Sequence, residues 1–263
     1  MSEASARRLV VLPDPDALAA AVAARTVTVL ARAQADRGRA SLVVTGGSIV
    51  DRVLGRLRNA TSGSALDWGR VDLWWGDERF VPADSADRND TETLKAGLGA
   101  LGLDPARVHR MPAAGGPRGD EVEAAAQAYA AELARVAGQD PGGEPGLPAL
   151  DVALLGVGPD GHCASLFPQH PALDERTLTV VGVRNSPKPP PLRTSLTYRT
   201  LNAVQHVWFV VSTRDKAAAV ASALGGASIE QTPSAGPRGV QETVWFTDED
   251  AASRLPDQLR DSV

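Results

Sequence analysis

Four stretches of the sequence carry side chains able to do chemistry. Gly156-Val157-Gly158-Pro159-Asp160-Gly161-His162 directly follows the apolar run Val152–Leu155. Its small residues leave room for a substrate to reach an imidazole, and Asp160 is close enough in sequence to orient the ring. An unperturbed histidine, pKa ~6.5, is largely neutral near pH 7 and suits a general base. His162 is therefore the candidate catalytic residue, with Asp160 beside it. The Gly-x-Gly-x-x-Gly spacing superficially matches a dinucleotide fingerprint. Pro168, however, comes too soon after Gly161 for the long phosphate-facing helix that motif requires. Cys163 offers a thiol with His162 as its base. Sequence neighbours rarely point at one another, so a small buried side chain is the preferred reading of Cys163.

Thr45-Gly46-Gly47-Ser48 lies where an apolar run, Leu42–Thr45, meets a helical pattern over Ile49–Leu57. Glycines allow close backbone approach, and a helix N-terminus offers free N–H groups and a positive dipole end. Ser48 adds a hydroxyl or a cap. The segment fits an anion site, and equally a plain strand-to-helix turn; it lacks the spacing of a P-loop. Gly76-Asp77-Glu78-Arg79 follows the run Val71–Trp75, at the strand end where open parallel sheets bind ligands. Arg79 suits bidentate phosphate binding, and Asp77 or Glu78 suits sugar hydroxyls. Asn89 reads as a cap for the next helix. Arg193 and Lys216 are dispersed cations that, with Arg79, would form a cationic pocket. Lysine is scarce: only Lys95, Lys188 and Lys216 occur among 27 basic residues.

Positioning these groups falls to alternating short strands and helices. Apolar runs at Leu9–Leu12, Leu42–Thr45, Val71–Trp75, Val152–Leu155, Thr179–Val183, Val207–Val211 and Thr243–Phe246 read as strands covered on both faces, as in a parallel sheet. Asp14 and Pro15 start a helix with Leu18, Val22, Val29 and Ala33 on one face. A second runs from Asp120 to Val136, with Asp120 and Glu123 as a capping box and Val122, Ala126, Tyr129, Leu133 and Val136 turned inward. Gly138 to Pro148 reads as a surface loop. Ser186 to Leu192 reads as an ordered, stiff polyproline II stretch, in preference to a partner-docking ligand.

The whole chain bounds the rest. Its 263 residues fit one α/β domain, with a small subdomain around residues 120–190 as an alternative division. With 27 Lys+Arg against 32 Asp+Glu the net charge is −5, which argues against bulk nucleic-acid binding. A single cysteine excludes an internal disulfide and Cys-rich zinc frameworks. There is no apolar run near the ~20 residues of a membrane span, and Met1 to Arg8 is polar, so the expected compartment is the cytoplasm.

Taken together, the blocks resemble the bacterial 6-phosphogluconolactonases, a family related in fold to glucosamine-6-phosphate deaminase. The likeness rests on Gly46-Gly47-Ser48, on Asp77-Glu78-Arg79-Phe80-Val81-Pro82 with Asn89 following, and on Leu155 through Pro168. Lys188-Pro189-Pro190 and Arg193-Thr194-Ser195-Leu196-Thr197 continue it in family order. Here Thr45 precedes the glycine pair, and Ile49-Val50 follow the serine, where the family has Ser and Thr-Pro. The resemblance implies a three-layer α/β/α fold with a mostly parallel, Rossmann-like sheet. It implies hydrolysis of 6-phospho-D-glucono-1,5-lactone in the oxidative pentose phosphate pathway, with no cofactor and no metal. His162 is then the general base, with Asp160 and Arg79 as catalytic companions. Gly46, Gly47 and Ser48 lie in the phosphate-binding region. Asp77, Arg79, Asn89, Gly158, Arg193 and Lys216 complete the substrate-binding set. The expected partner is the small sugar phosphate alone, without nucleic acid or membrane, for a monomer or weak homo-oligomer. The deaminase pattern, by contrast, carries Asp-Glu-Tyr where this chain has Asp77-Glu78-Arg79. A sugar-phosphate sensor would need a DNA-binding module, and no basic helix-turn-helix segment is seen.

Overall fold

In the computed structural model, residues 7–260 are described, apart from Arg118 and Pro141. The polar start of the chain and one residue of the Gly138–Pro148 loop thus lie outside the described residues. In chain order the elements are β1 (Arg7–Leu12), α1 (Pro15–Arg37), β2 (Ala40–Val44), α2 (Ser48–Thr61), β3 (Val71–Trp75), β4 (Asp77–Arg79), α3 (Asn89–Ala96), β5 (Val108–His109) and α4 (Val122–Ala137). They continue with β6 (Val152–Leu155), β7 (Val180–Val183), β8 (Arg193–Leu196), α5 (Tyr198–Leu201), β9 (His206–Val211), α6 (Ala217–Leu224), β10 (Glu242–Asp248) and α7 (Asp257–Arg260).

Seven strands form one parallel sheet in the order β1-β10-β9-β6-β2-β3-β5. Every residue of β2, β3 and β6 is buried, as expected for strands covered on both faces. Successive side chains of β3 show that covering. Trp74 meets Tyr129 of α4 edge-on, whereas the Trp75 indole N–H bonds Thr93 of α3. The α/β architecture read from the sequence is the one observed.

Helix α1 starts as its residues dictate, with the Asp14 carboxylate accepting from Ala17 N (2.8 Å), Pro15 in the first turn, and Gly38 closing it at φ 76°. Val29 is only half-buried; Val27 and Leu30 take the core positions. Helix α4 buries its anticipated apolar face but begins at Val122, and no capping box forms. Asp120 accepts from Gly115 N, and Glu123 pairs with Arg184.

Three further differences matter for the site. The Thr179–Val183 run does not join the large sheet: β7 belongs to a separate antiparallel sheet, β4-β8-β7. Asp77-Glu78-Arg79, placed by the sequence only at a strand end, is itself a strand of that small sheet. Its charged residues gave no strand signal because the pairing with β8 is a tertiary effect. The Ser186–Leu192 segment is ordered but not an extended polyproline helix, for Ser186 N donates back to Pro191 O (3.0 Å). Between β3 and β4 stands Gly76 alone. Its N–H donates to Val44 O of β2 and its carbonyl accepts from Leu196 N of β8, both at 2.8 Å. Among the described residues no helix is long and apolar enough to cross a membrane.

Candidate active site

The C-terminal ends of β2, β6 and β9 and the small sheet enclose a cleft of about 280 Å³. Gly46, Gly47, Ser48, Asp77, Arg79, Asn89, Gly158, His162, Arg193 and Lys216 all line it. Asp160 does not; it stands behind His162. This is the place open parallel sheets reserve for ligands, because chain reversals there leave backbone N–H groups and loop side chains free.

The loop after β6 presents the histidine. Gly158 N donates to His162 O and Gly161 N to Gly158 O, both at 2.9 Å, closing a tight turn with Gly161 at φ 84°. A Cβ on Gly158 would lie 2.0 Å from His162 Nδ1, so only glycine lets the ring fold back over the turn. The ring also rests on Phe167, with centroids 4.7 Å apart. Nδ1 lies 2.5 Å from Asp160 Oδ1. Assigning the proton to Nδ1 on that contact leaves Nε2 with a free lone pair. Burial works against ionisation of Asp160. The hydrogen bond and charge of His162, together with Lys188, outweigh it and hold the carboxyl well below the usual range.

At the opposite wall, Gly47 precedes α2 at φ 133°, and Ser48 is its first residue rather than its side-chain cap. The Ser48 hydroxyl is exposed, and the first-turn N–H groups have no intrahelical partners. Gly46 is needed for closeness, since a Cβ there would stand 2.2 Å from Asn89 Oδ1. Asn89 does not cap α3 with its side chain; Nδ2 donates to Asp77 O (2.9 Å). Asp77 is buried and accepts from Ser165 Oγ at 2.7 Å.

Four cations face this space. Arg79 and Arg193 are direct partners across β4 and β8, a placement that costs energy between like charges unless an anion intervenes. Arg79 Nη1 donates to Asp87 O (2.9 Å) and Glu92 (3.2 Å). Arg193 is buried and braces the proline loop through Pro190 O and Pro189 O, each 2.9 Å away. Burial lowers its pKa, Asp77 raises it and Arg79 lowers it. Lys216 is likewise pushed down by burial, partly offset by Asp215 and reinforced by Lys188.

Lys188 was not singled out as a site residue from the sequence. The braced loop carries its Nζ to 3.4 Å from His162 Nδ1 and 3.6 Å from Asp160 Oδ1. Its rarity as a lysine and its place in the Lys188-Pro189-Pro190 block were the available signals. Phe167 was missed because an aromatic in an apolar block reads as core. Cys163 is fully buried and outside the cleft lining, and burial, with the Asp77 charge, pushes its thiol up. That is the environment of an inert thiol, not a nucleophile.

Comparison with known proteins bears on the whole chain. Residues 13–245 match the family model described as glucosamine-6-phosphate isomerases/6-phosphogluconolactonase. A 6-phosphogluconolactonase of Streptomyces coelicolor is 50% identical over 252 residues, covering 96% of both chains. The 6-phosphogluconolactonase of Mycobacterium tuberculosis is 43% identical over 246 residues, covering 94% of this chain and 97% of its own. The structure of 6-phosphogluconolactonase from Trypanosoma brucei superposes with a TM-score of 0.78 at 25% identity, over 96% of this chain and 100% of that one. The chain belongs to the glucosamine-6-phosphate isomerase/6-phosphogluconolactonase family.

Proposed function

We propose that this chain is a lactone hydrolase that opens 6-phospho-D-glucono-1,5-lactone to 6-phospho-D-gluconate, with His162 as general base. The observation that carries the mechanism is the His162 ring, locked at Nδ1 by Asp160 and free at Nε2, in one cleft with four cations. The relatives named 6-phosphogluconolactonase support the substrate.

A lactone is an activated ester, so no covalent nucleophile is required. Nε2 takes a proton from water as the oxygen attacks C1, and Asp160 balances the imidazolium that forms. The carbonyl π electrons move onto oxygen, giving a tetrahedral oxyanion, and the cations of the cleft, Lys188 among them, supply the counter-charge. Collapse re-forms the carbonyl, breaks the bond from C1 to the ring oxygen, and returns the proton from Nε2 to that oxygen. The product is an open-chain acid that ionises in solution. Arg79, Arg193, Lys216 and the Gly46–Ser48 turn hold the phosphorylated end, fixing the distance from phosphate to C1.

The test is to generate the lactone in situ from glucose-6-phosphate and follow acid release. His162→Ala should retain its fold and lose roughly 10²–10⁴-fold in kcat. Normal turnover by that variant removes the general base, and no acceleration by the intact chain removes the substrate.

A further inference from the structure

Glu78 lies directly behind the cleft, 1% exposed and outside its lining. Its carboxylate accepts three backbone N–H groups at once. Oε1 takes those of Arg79 and Asn89, each at 2.7 Å, and Oε2 takes that of Asp90 at 2.9 Å. Arg79 ends β4, while Asn89 and Asp90 open α3. Residue Arg88 precedes that helix without any side-chain cap, so the cap arrives from a neighbouring strand. The two elements fastened in this way deliver two cleft groups. Asn89 ties back to Asp77 O against Gly46, and Arg79 faces the cleft beside Arg193.

We propose that Glu78 is a positioning residue for the hydrolysis: by joining β4 to the start of α3, its carboxylate sets where Arg79 and Asn89 stand and so governs substrate binding. The inference rests on the lactonase reading of the cleft. The charged and titratable groups facing Glu78 are Arg88 at 3.6 Å, Asp90, Arg193 from β8 and Tyr129 from α4. Burial pushes the Glu78 carboxyl up to about 7, with Arg88 and the Asp90 and Asn89 N–H groups pulling the other way. Protonation turns one acceptor oxygen into a hydroxyl and releases one of the three N–H groups.

Fold and cleft then respond to pH in opposite directions. With a raised pKa, the contribution of Glu78 to folding is complete below its usual 4.5 and is lost as pH rises through about 7. Its hold on Arg79 and Asn89 strengthens over the same interval. A purely structural Glu78 makes activity follow stability; a positioning Glu78 separates them.

Lactone hydrolysis and thermal unfolding should be measured from about pH 6 to 8.5 for the unaltered chain, Glu78→Gln and Glu78→Asp. In Glu78→Gln, KM at pH 8 should rise about tenfold, the equivalent of one charge-assisted hydrogen bond, with kcat little changed. The rise in KM that the unaltered chain shows on acidification should shrink in this variant. The substrate phosphate, with its second pKa near ~6, and His162 titrate in both proteins, so only the difference between profiles is read. Glu78→Asp keeps both oxygens but retracts them by a methylene, and its KM should fall between the two. A folded Glu78→Gln with KM within about twofold of the unaltered chain, or with its full pH dependence, overturns the proposal. If Glu78→Gln does not fold, Glu78→Asp decides on KM alone, and a KM equal to that of the unaltered chain overturns it. Failure of the unaltered chain to hydrolyse the lactone overturns the site reading as well, a distinct result.

Discussion

At the scale of single residues, the histidine turn depends on the absence of one carbon. Gly158→Ala would drive a methyl into the ring of His162 and the carboxylate of Asp160, which lie 2.0 Å and 2.4 Å from that position. The ring must leave its place. The expected outcome is a kcat reduced at least tenfold with unfolding temperature almost unchanged, checked by steady-state assay and calorimetry. Asp160→Asn tests the tautomer instead. An amide cannot balance an imidazolium, so kcat should fall on the order of 10²-fold while KM stays within about twofold. The placement was readable in advance: a histidine among glycines after an apolar run is expected at a strand end, and His162 lines the cleft there. Lys188 was not, because its approach to His162 depends on Arg193 bracing carbonyls of the proline loop, and no local pattern encodes that contact.

Among elements, the start of α3 buries a cluster of charges. Arg88 is 2% exposed, bidentate to Asp90 at 3.0 Å and 2.7 Å from Met111 O. Arg88→Met would leave Glu78 buried without its cation and Asp90 with Arg110 at 3.9 Å, at a cost of about 3–5 kcal/mol. For a chain of this length that lowers Tm by roughly 10 °C, measurable by calorimetry at pH 7.5. The legibility of elements followed their chemistry. Strands β3 and β6 match the apolar runs residue for residue, since burial on both faces writes itself into composition. The small sheet did not, because β4 is Asp-Glu-Arg, and β8 opens with a buried arginine and two polar residues. Their partners are far away in sequence, so only the folded chain shows why they are extended.

For the molecule as a whole, two carboxyls on the cleft side set how stability varies with pH. Burial raises Glu78 to about 7 and, with the Glu92 charge and against that of Arg79, raises Asp51 to about 6. Each favours the folded state when protonated, so its contribution is lost as pH rises through 6 and 7. For Glu78 this amounts to about 3 kcal/mol as an upper bound. Glu242 behaves in the opposite sense. Burial opposes its charge, but His206, Trp208 and Arg25 hold it at about 2, and its contribution is lost as pH falls below about 4.5. Tm should therefore peak near about pH 5 and decline toward pH 8, and a flat profile from 5 to 8 would contradict these assignments. The parallel sheet was legible at this scale from the alternation of runs and helices; the joining of two sheets was not. Gly76 is that joint, its amide given to one sheet and its carbonyl to the other. A single residue fastened to both sheets ties floor to roof, and the expected consequence is a cleft that keeps its shape when the substrate enters. Amide exchange at Gly76 and Leu196 should accordingly be as slow in the empty protein as in the liganded one.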